Sequence, residues 1–312
     1  MPSYIILAIK SIQCHNAESA SVIILNDDLV WRHFGADLPP QYEYLIPVHK
    51  SDYVRCLLLY RYGGMWLDVD TIALESLAHL FEDLRTQNLD LIGYSWPPEG
   101  APLGIGAIGP ARANLTIFRT WKRFADAKLE ARKSRLEATY SDPDSNPYPI
   151  AWGGILTDIL QPIVKLALAK SGLRLRTLNG PQTWGQLDTF GQKLNHYFAT
   201  DIFNDGNTTF LHLLKPIKRT ELLLLHNSML SEDIKSYSVT KLMDSKILLA
   251  RLLHSSLSRC LVDKIDFAHL LKIDINTNDD VNFVYKLTER TTLAGISKHP
   301  NTYENLAEYI LI

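Results

Sequence analysis

Hydrophobic and polar positions alternate with two different periods over the first seventy residues. Ile5, Ala8 and Ile12 recur at intervals of three and four residues, which predicts an amphipathic helix. The apolar run at residues 21–25 predicts a buried strand. The polar residues 26–28 come directly after it, so we expect a loop at the carboxyl end of this strand.

A second predicted helix, residues 51–62, leads directly into a second strand. Ser51 is a typical helix N-cap residue, and Gly63-Gly64 ends the helix because glycine tolerates the left-handed turn that follows a last helical turn. Residues 65–70 are then predicted to be a strand. Helices that alternate with strands in this way predict an α/β fold whose sheet is covered on both faces.

The rest of the chain continues the alternation and then changes character. From about residue 238 the pattern becomes mostly helical. The sequence therefore predicts a domain of residues 1–237 and a mainly helical C-terminal appendage of residues 238–312. The other predicted elements are strands at 90–93, 105–108 and 222–226 and helices at 111–136 and 154–170.

Composition and charge narrow the classes of partner. The 312 residues carry a formal net charge of -2, which gives no general attraction to nucleic acid. The three cysteines are far apart and form no CxxC pair, so a reducing compartment is expected. No apolar run reaches the roughly 18 residues that a membrane span needs. We therefore expect a cytoplasmic protein without a transmembrane segment, with at most peripheral contact at the inner face of the membrane.

Asp68 and Asp70 end an otherwise apolar segment, although carboxylates are costly to remove from water. Residues two apart in a strand point the same way, so both carboxylates are predicted to converge on one point. Close carboxylates repel each other unless a cation lies between them, and oxygen ligands suit Mg²⁺ or Mn²⁺ carrying a substrate's phosphates. Because D-x-D triplets are frequent by chance, two solvated aspartates in a turn are the alternative.

The stretch from residue 51 to residue 70 resembles the D-x-D glycosyltransferases with a GT-A fold. The resemblance is to the sugar-binding-region group, which includes capsular polysaccharide synthesis proteins and α-1,6-mannosyltransferase-like enzymes, and whose core the clostridial glucosylating toxins share. It implies a nucleotide-sugar-binding mixed sheet flanked by helices. The matching residues are Ser51-Asp52, Arg55, Tyr62-Gly63-Gly64, Trp66 and Asp68-Val69-Asp70.

The resemblance assigns a role to each of these residues. Asp70 would ligate the metal directly. Asp68 would contact ribose or sugar hydroxyls of the donor, and the metal through water. Asp52 and Arg55 would orient the transferred sugar and the nucleotide, with Trp66 packed beside them. The alternative for Asp52 and Arg55 is an ion pair between helical residues three apart, which would stabilise the helix only slightly.

Three further residues are weaker candidates. Gly64 of the Tyr-Gly-Gly motif is expected at the substrate. His226, which leaves the late apolar strand, is a candidate ligand of the metal or the diphosphate, or else a structural histidine. Asp158 follows a glycine pair that resembles a family loop beside the sugar and the acceptor, and would be the base if the reaction inverted configuration. Its alternative is an ordinary acidic residue in a first helical turn.

The implied function is the transfer of a sugar from a nucleotide-diphosphate donor to an acceptor hydroxyl, with Mn²⁺ or Mg²⁺ as cofactor. A UDP-sugar is the favoured donor, and a glycan or a lipid-linked molecule is the expected acceptor. The resemblance implies retention of configuration and suggests a role in capsular or other surface polysaccharide synthesis.

One departure from the family and two rival functions stay open. Family members usually carry a strand before the first helix, whereas we expect this sequence to start at that helix. That departure favours a non-catalytic module that binds a nucleotide sugar. A haloacid-dehalogenase-like phosphatase could also use Asp68 and Asp70, with Asp68 as nucleophile. Against it, Ile72 stands where that family has threonine or valine.

Overall fold

A six-stranded sheet with helices on both faces forms the main body of the computed structural model. A separate two-stranded sheet lies beside it. The predicted α/β class, with a mixed sheet flanked by helices, is confirmed. The structure describes residues 1–94, 103, 106–141, 150–151, 153–178, 222–225, 232–245, 247–260 and 309–311.

Helices and strands alternate along most of the described chain. The strands are Ser21–Ile23 (β1), Met65–Leu67 (β2), Thr71–Ala73 (β3), Leu91–Tyr94 (β4), Ala107–Pro110 (β5), Leu175–Leu178 (β6), Leu222–Leu224 (β7) and Tyr309–Leu311 (β8). The helices are Ser3–Asn16 (α1), Asp27–Phe34 (α2), Pro47–Tyr62 (α3), Ala78–Thr86 (α4), Thr116–Ala131 (α5), Lys133–Ser141 (α6), Thr157–Lys170 (α7), Glu232–Lys235 (α8), Val239–Asp244 (α9) and Leu248–Cys260 (α10).

The large sheet is mixed, and its order brings together strands from distant parts of the chain. The order is β1–β8–β2–β5–β4–β6. Strand β8 is parallel to both β1 and β2, whereas β5 is antiparallel to its neighbours β2 and β4. The carboxyl ends of β1, β8, β2 and β4 therefore lie at one edge of the sheet. Ligands of α/β proteins commonly bind at such an edge.

The two faces of the sheet carry separate hydrophobic layers. On one face, Met65 and Leu67 pack in a cluster with α1, α4 and α10. On the other face, Trp66 packs in a cluster with α2, α3, α5 and α7. Because successive residues of a strand point to opposite faces, β2 contributes to both layers. The side of the sheet that holds α3 is thus the side that Trp66 faces.

Helix α3 begins one turn earlier than the sequence predicted. Its first residue is Pro47, and Ile46 is the N-cap, so the prediction of Ser51 as N-cap is wrong. Proline is favoured at a first helical position because its fixed backbone angle is already helical and its missing N–H would have no partner there. The predicted end of the helix is confirmed, since Gly63 and Gly64 both have positive φ, 70° and 76°.

Strand β2 is shorter than predicted and ends at Leu67. The last β2 pair with β5 joins Leu67 and Ala107. The amide of Thr71 then donates to the carbonyl of Asp68 at 3.0 Å, which closes a turn over residues 68–71. The chain enters β3 of the small sheet after this turn. The predicted strand from 65 to 70 is therefore wrong in its second half, because the chain changes sheets there.

The predicted helix at 111–136 is two helices. Residues 111–115 precede α5, and a break at Arg132 separates α5 from α6, where the Arg132 amide bonds to the Leu129 carbonyl at 3.1 Å. The late strand was predicted at 222–226, and the structure describes β7 at Leu222–Leu224.

The described parts of residues 238–312 pack against the rest of the molecule. Helices α9 and α10 both contact α1, and β8 lies inside the large sheet. The division of the chain at residue 237 stays a prediction. Within the residues that the structure describes, no helix is both long enough and apolar enough to cross a lipid bilayer.

Candidate functional site

The glycine turn after α3 brings the helix against the strand that follows it. Asp52 and Arg55 lie on the buried side of α3, with 2% and 3% of their surface exposed. Trp66 of β2 points to the same side. The guanidinium carbon of Arg55 lies 4.9 Å from the centre of the Trp66 ring, so the cation stacks on the aromatic face. These three residues form the base of the site.

The carboxylate of Asp68 completes this cluster. Its Oδ1 accepts a hydrogen bond from Arg55 Nη2 at 2.6 Å and another from Trp66 Nε1 at 2.9 Å. Arg55 is closer to Asp68 than to Asp52, whose Oδ1 lies 3.9 Å from the same nitrogen. The main partner of Arg55 is therefore the D-x-D aspartate and not its neighbour on the helix. A guanidinium thus compensates the charge that follows the apolar strand.

Asp52 is a buried carboxyl whose pKa lies above its ordinary value. Burial raises its pKa from 3.8 to about 7; the nearby Arg55 cation opposes the rise and the Asp68 charge adds to it. Its Oδ2 has no hydrogen-bond partner among the described residues. Near neutral pH this group is therefore partly protonated. It can donate a hydrogen bond as well as accept one.

Asp70 lies in the turn after β2 and is partly buried. Its carbonyl accepts a hydrogen bond from the Leu225 amide at 3.0 Å, which ties the turn to the end of β7. The pKa of Tyr4 in α1 is raised by burial and then by the Asp70 charge. Since Asp68 and Asp70 lie in a turn, the argument that strand periodicity makes them converge does not apply. Their binding to one metal stays a prediction.

Gly106 borders Asp68, and sequence reasoning missed it. Its carbonyl accepts a hydrogen bond from the Asp68 amide at 2.8 Å. A Cβ placed on Gly106 would lie 3.1 Å from Asp68 Oδ2 and 3.2 Å from Leu224. A glycine directly before a strand was the available signal, because glycine is used where a backbone must approach another group closely.

The remaining candidates lie apart from this cluster or outside the described chain. Asp158 is in the first turn of α7, and its side chain is 58% exposed. Its carboxylate lies 3.8 Å from Lys128 Nζ. These features agree with the alternative that Asp158 is an ordinary acidic residue in a first helical turn. Gly64 forms the turn between α3 and β2 through its positive φ of 76°. His226 lies outside the described residues. Roles of Asp158, Gly64 and His226 at a substrate stay predictions.

The donor groups at the turn suit a hard divalent cation. No group of three or more His, Cys, Asp or Glu side chains that could hold a metal occurs in the part of the chain that the structure describes. Mg²⁺ and similar ions need fewer protein ligands, since one or two carboxylates and the phosphates of a substrate suffice. Asp70 and the Oδ2 of Asp68 could supply those carboxylate oxygens.

Residues 2–89 match the model of a protein family described as the glycosyltransferase sugar-binding region containing the DXD motif. Over this segment the chain resembles a glycosyltransferase sugar-binding region. The matched residues include Asp52, Arg55, Trp66, Asp68 and Asp70, so the resemblance to the DXD sugar-binding-region family is confirmed for the part of the chain that carries the cluster. The finer groups within that family stay predictions.

A curated relative agrees with this family. The chain is 30% identical over 81 residues to the O-glycosyltransferase PaGT of Phomopsis amygdali, and the match covers 24% of this chain and 20% of the relative. The chain therefore matches about a fifth of the length of that protein. No solved structure matches the chain significantly. Neither match is to a phosphatase.

Proposed function

We propose that the protein is a metal-dependent glycosyltransferase that moves a sugar from a nucleotide-diphosphate donor to an acceptor hydroxyl. The observation that carries the proposal is the Arg55–Trp66–Asp68 cluster, which lies within the segment that matches the sugar-binding-region family. The name of the curated relative, an O-glycosyltransferase, supports transfer to oxygen. We propose a GT-A type of donor-binding sheet for the same reasons.

The donor site would lie at the carboxyl edge of β1, β8 and β2. Asp68 follows β2 at this edge, and Asn26, which caps α2, follows β1. The side chain of Asn26 accepts from the amide of Leu29 at 2.8 Å, so α2 also begins at this edge. A helix N-terminus near a diphosphate is favourable because its free amides and dipole attract anions.

Arg55 would hold the donor through a charge that is already oriented. Its guanidinium is fixed by the hydrogen bond to Asp68 and by stacking on Trp66. A group that is positioned before the substrate arrives loses little entropy on binding and keeps the reacting atoms in line. Arg55 and Trp66 are both buried, so water competes little for their polar groups.

Asp52 would recognise a sugar hydroxyl. A hydroxyl both donates and accepts, and a carboxyl with a pKa of about 7 is able to do either near neutral pH. The Oδ2 that lacks a partner among the described residues is the atom available for such a bond. This assignment agrees with the role that the sequence resemblance gave to Asp52.

Asp70 and Asp68 Oδ2 would hold Mn²⁺ or Mg²⁺ together with the donor's phosphates. When bound, the cation would neutralise the negative charge that develops on the leaving diphosphate. We propose retention of configuration, which requires no dedicated base from the chain. The same proposal includes a UDP-sugar donor, a glycan or lipid-linked acceptor, a cytoplasmic location and a role in surface polysaccharide synthesis. These four parts derive from the family resemblance.

A donor screen tests the proposal. The purified chain would be incubated with UDP- and GDP-sugars, with and without Mn²⁺, and release of the free sugar and the nucleoside diphosphate would be followed. We expect hydrolysis of at least one donor that depends on the metal. Binding without hydrolysis would instead support the non-catalytic module, and phosphate release from a simple phosphomonoester would support the phosphatase.

A further inference from the structure

Strand β8 occupies an interior position in the sheet although it comes from residues 309–311. It pairs with β1 through the matches of Val22 with Ile310 and of Ile23 with Leu311. It pairs with β2 on its other side, where Ile310 matches Met65. Both pairings are parallel. Strands β1 and β2 are thus held together through a segment that lies more than two hundred positions later in the sequence.

An interior strand determines the distance between its two neighbours. Adjacent strands lie about 4.8 Å apart, so β1 and β2 are separated by roughly two such spacings while β8 lies between them. Without β8, the facing backbone groups of β1 and β2 would lose their partners, and buried backbone groups without partners are costly. The alternative is for β1 and β2 to close the gap, which would move one of them by about one strand spacing.

Both strands that β8 joins lead into the candidate donor site. The carboxyl end of β1 continues to Asn26 and the start of α2, and the carboxyl end of β2 continues to Asp68. Helix α1 packs against β3, the strand that follows the turn of residues 68–71. A change in the spacing of β1 and β2 would therefore displace the groups on either side of the site.

We propose that residues 309–311 form a positioning strand of the donor site, which holds the Asp68-bearing end of β2 at a fixed distance from β1. Donor binding is complete only when this segment occupies its place in the sheet. The part of the proposal that concerns the donor rests on the proposed function. The part that concerns the sheet does not.

The first experiment weakens the strand within the full chain. Ile310→Pro removes a backbone N–H from an interior strand, where proline is not tolerated, and Ile310→Val is the matched control because it keeps the backbone and favours a strand. Hydrogen–deuterium exchange would be measured for peptides that contain β1, β2, β4 and β6. We expect at least about tenfold faster exchange in β1 and β2 of the proline variant, while β4 and β6, at the far end of the sheet, are unchanged.

A second pair of variants separates sheet completion from general unfolding. One lacks residues 309–312, and the other has residues 305–312 moved in front of Pro2 through a flexible linker. The linker is chosen long enough for the moved strand to reach the same place in the sheet. We expect deletion to lose protection in β1 and β2 and to weaken binding of the donor found in the screen about tenfold or more, and relocation to restore both.

The outcomes decide between the two proposals. The positioning role of residues 309–311 is wrong if deletion leaves exchange in β1 and β2 at the level of the full chain. It is also wrong if deletion unfolds the protein and relocation of the strand does not restore the fold. Recovery of protection only in dimers would assign the place to the strand of a second copy and would also contradict it. If the full chain binds no donor while the exchange results hold, the proposed function fails and the role of the strand in the sheet stands.

Discussion

Arg55 and Trp66 donate hydrogen bonds to the same oxygen of Asp68, Oδ1. This leaves Oδ2 as the oxygen that neither donor occupies. The sequence pointed to these residues through the spacing of the motif, but it suggested a pair between Asp52 and Arg55. That pairing could not be resolved from spacing alone, because an arginine in α3 reaches both its own helix and the end of β2, and only the packing of the two elements decides between them.

Replacing Trp66 tests whether its indole N–H positions Asp68. Trp66→Phe keeps an aromatic ring beside Arg55 but removes the hydrogen bond to a charged oxygen, a type of bond that contributes about 1.5–3 kcal/mol. We expect kcat/KM to fall about tenfold or more, mainly through kcat, with a small change in stability. The matched control is Trp121→Phe, since the buried indole of Trp121 donates to the Ile155 carbonyl at 2.8 Å and not to Asp68. An equal loss of activity in both variants would show that the effect is only structural.

The raised pKa of Asp52 predicts a pH dependence of stability. The folded chain keeps this carboxyl protonated up to about pH 7, whereas the unfolded chain loses the proton near its ordinary value of 3.8. The contribution of Asp52 to the free energy of unfolding therefore falls as pH rises from the unfolded pKa to the folded pKa. The fall is on the order of a few kcal/mol, and the contribution stays constant above the folded pKa. Asp52→Asn cannot titrate, so urea unfolding of this variant should show a smaller fall with pH. Identical pH profiles of the two proteins would contradict the assignment.

At the scale of elements, the position of the D-x-D motif depends on the end of β2. The sequence located α3, its glycine end and the start of β2, because these follow from local periodicity and backbone preference. It did not locate the end of β2, because that depends on where β5 stops pairing and where β7 takes over, and both partners are distant in the sequence. For the same reason Gly106 was missed, since its contact with Asp68 exists only after β5 has paired with β2.

A side chain on Gly106 is predicted to disturb the Asp68 carboxylate. In Gly106→Ala the added Cβ would lie 3.1 Å from Asp68 Oδ2, closer than ordinary van der Waals contact. We expect weaker metal-dependent donor binding, by about three- to tenfold, with the fold retained. Gly35→Ala is the control, because its Cβ would meet Trp31 at an ordinary 3.5 Å. Donor titration of both variants makes the comparison, and unchanged binding in Gly106→Ala would count against a role for this close approach.

For the whole molecule, the late part of the chain packs against α1 and against β3, the strand that follows the turn of the candidate site. The buried Ser256 of α10 donates to the Ala73 carbonyl of β3 at 2.5 Å and lies 3.2 Å from His15 of α1. Sequence periodicity predicted helices in this region but assigned them to an appendage. Local patterns do not show which surface a helix covers, and neither the packing of α10 on α1 nor the insertion of β8 follows from them.

Removing the hydroxyl of Ser256 tests this connection. Ser256→Ala leaves the Ala73 carbonyl without this donor in a buried place, which should lower the free energy of unfolding by about 1–3 kcal/mol. The matched control is Ser258→Ala, since the Ser258 hydroxyl bonds to the Ser255 carbonyl on the exposed side of the same helix. Urea denaturation should show a lower midpoint for Ser256→Ala than for the wild type. The midpoint of Ser258→Ala should be almost unchanged. Equal midpoints would mean that α10 contributes little at this contact.

We propose above that the turn after β2 holds a divalent cation and the diphosphate of a nucleotide sugar. Calorimetric titration of the donor from the screen, in the presence of Mn²⁺, into the wild type, Asp70→Asn and Asp90→Asn tests it most directly. Asp90 precedes β4 and lies at the amino ends of the parallel strands, away from the carboxyl edge that carries the site. There it pairs with Arg174 at 3.5 Å. We expect Asp70→Asn to lose metal-dependent binding by tenfold or more and Asp90→Asn to bind as the wild type does. Wild-type affinity in the Asp70→Asn chain would contradict it.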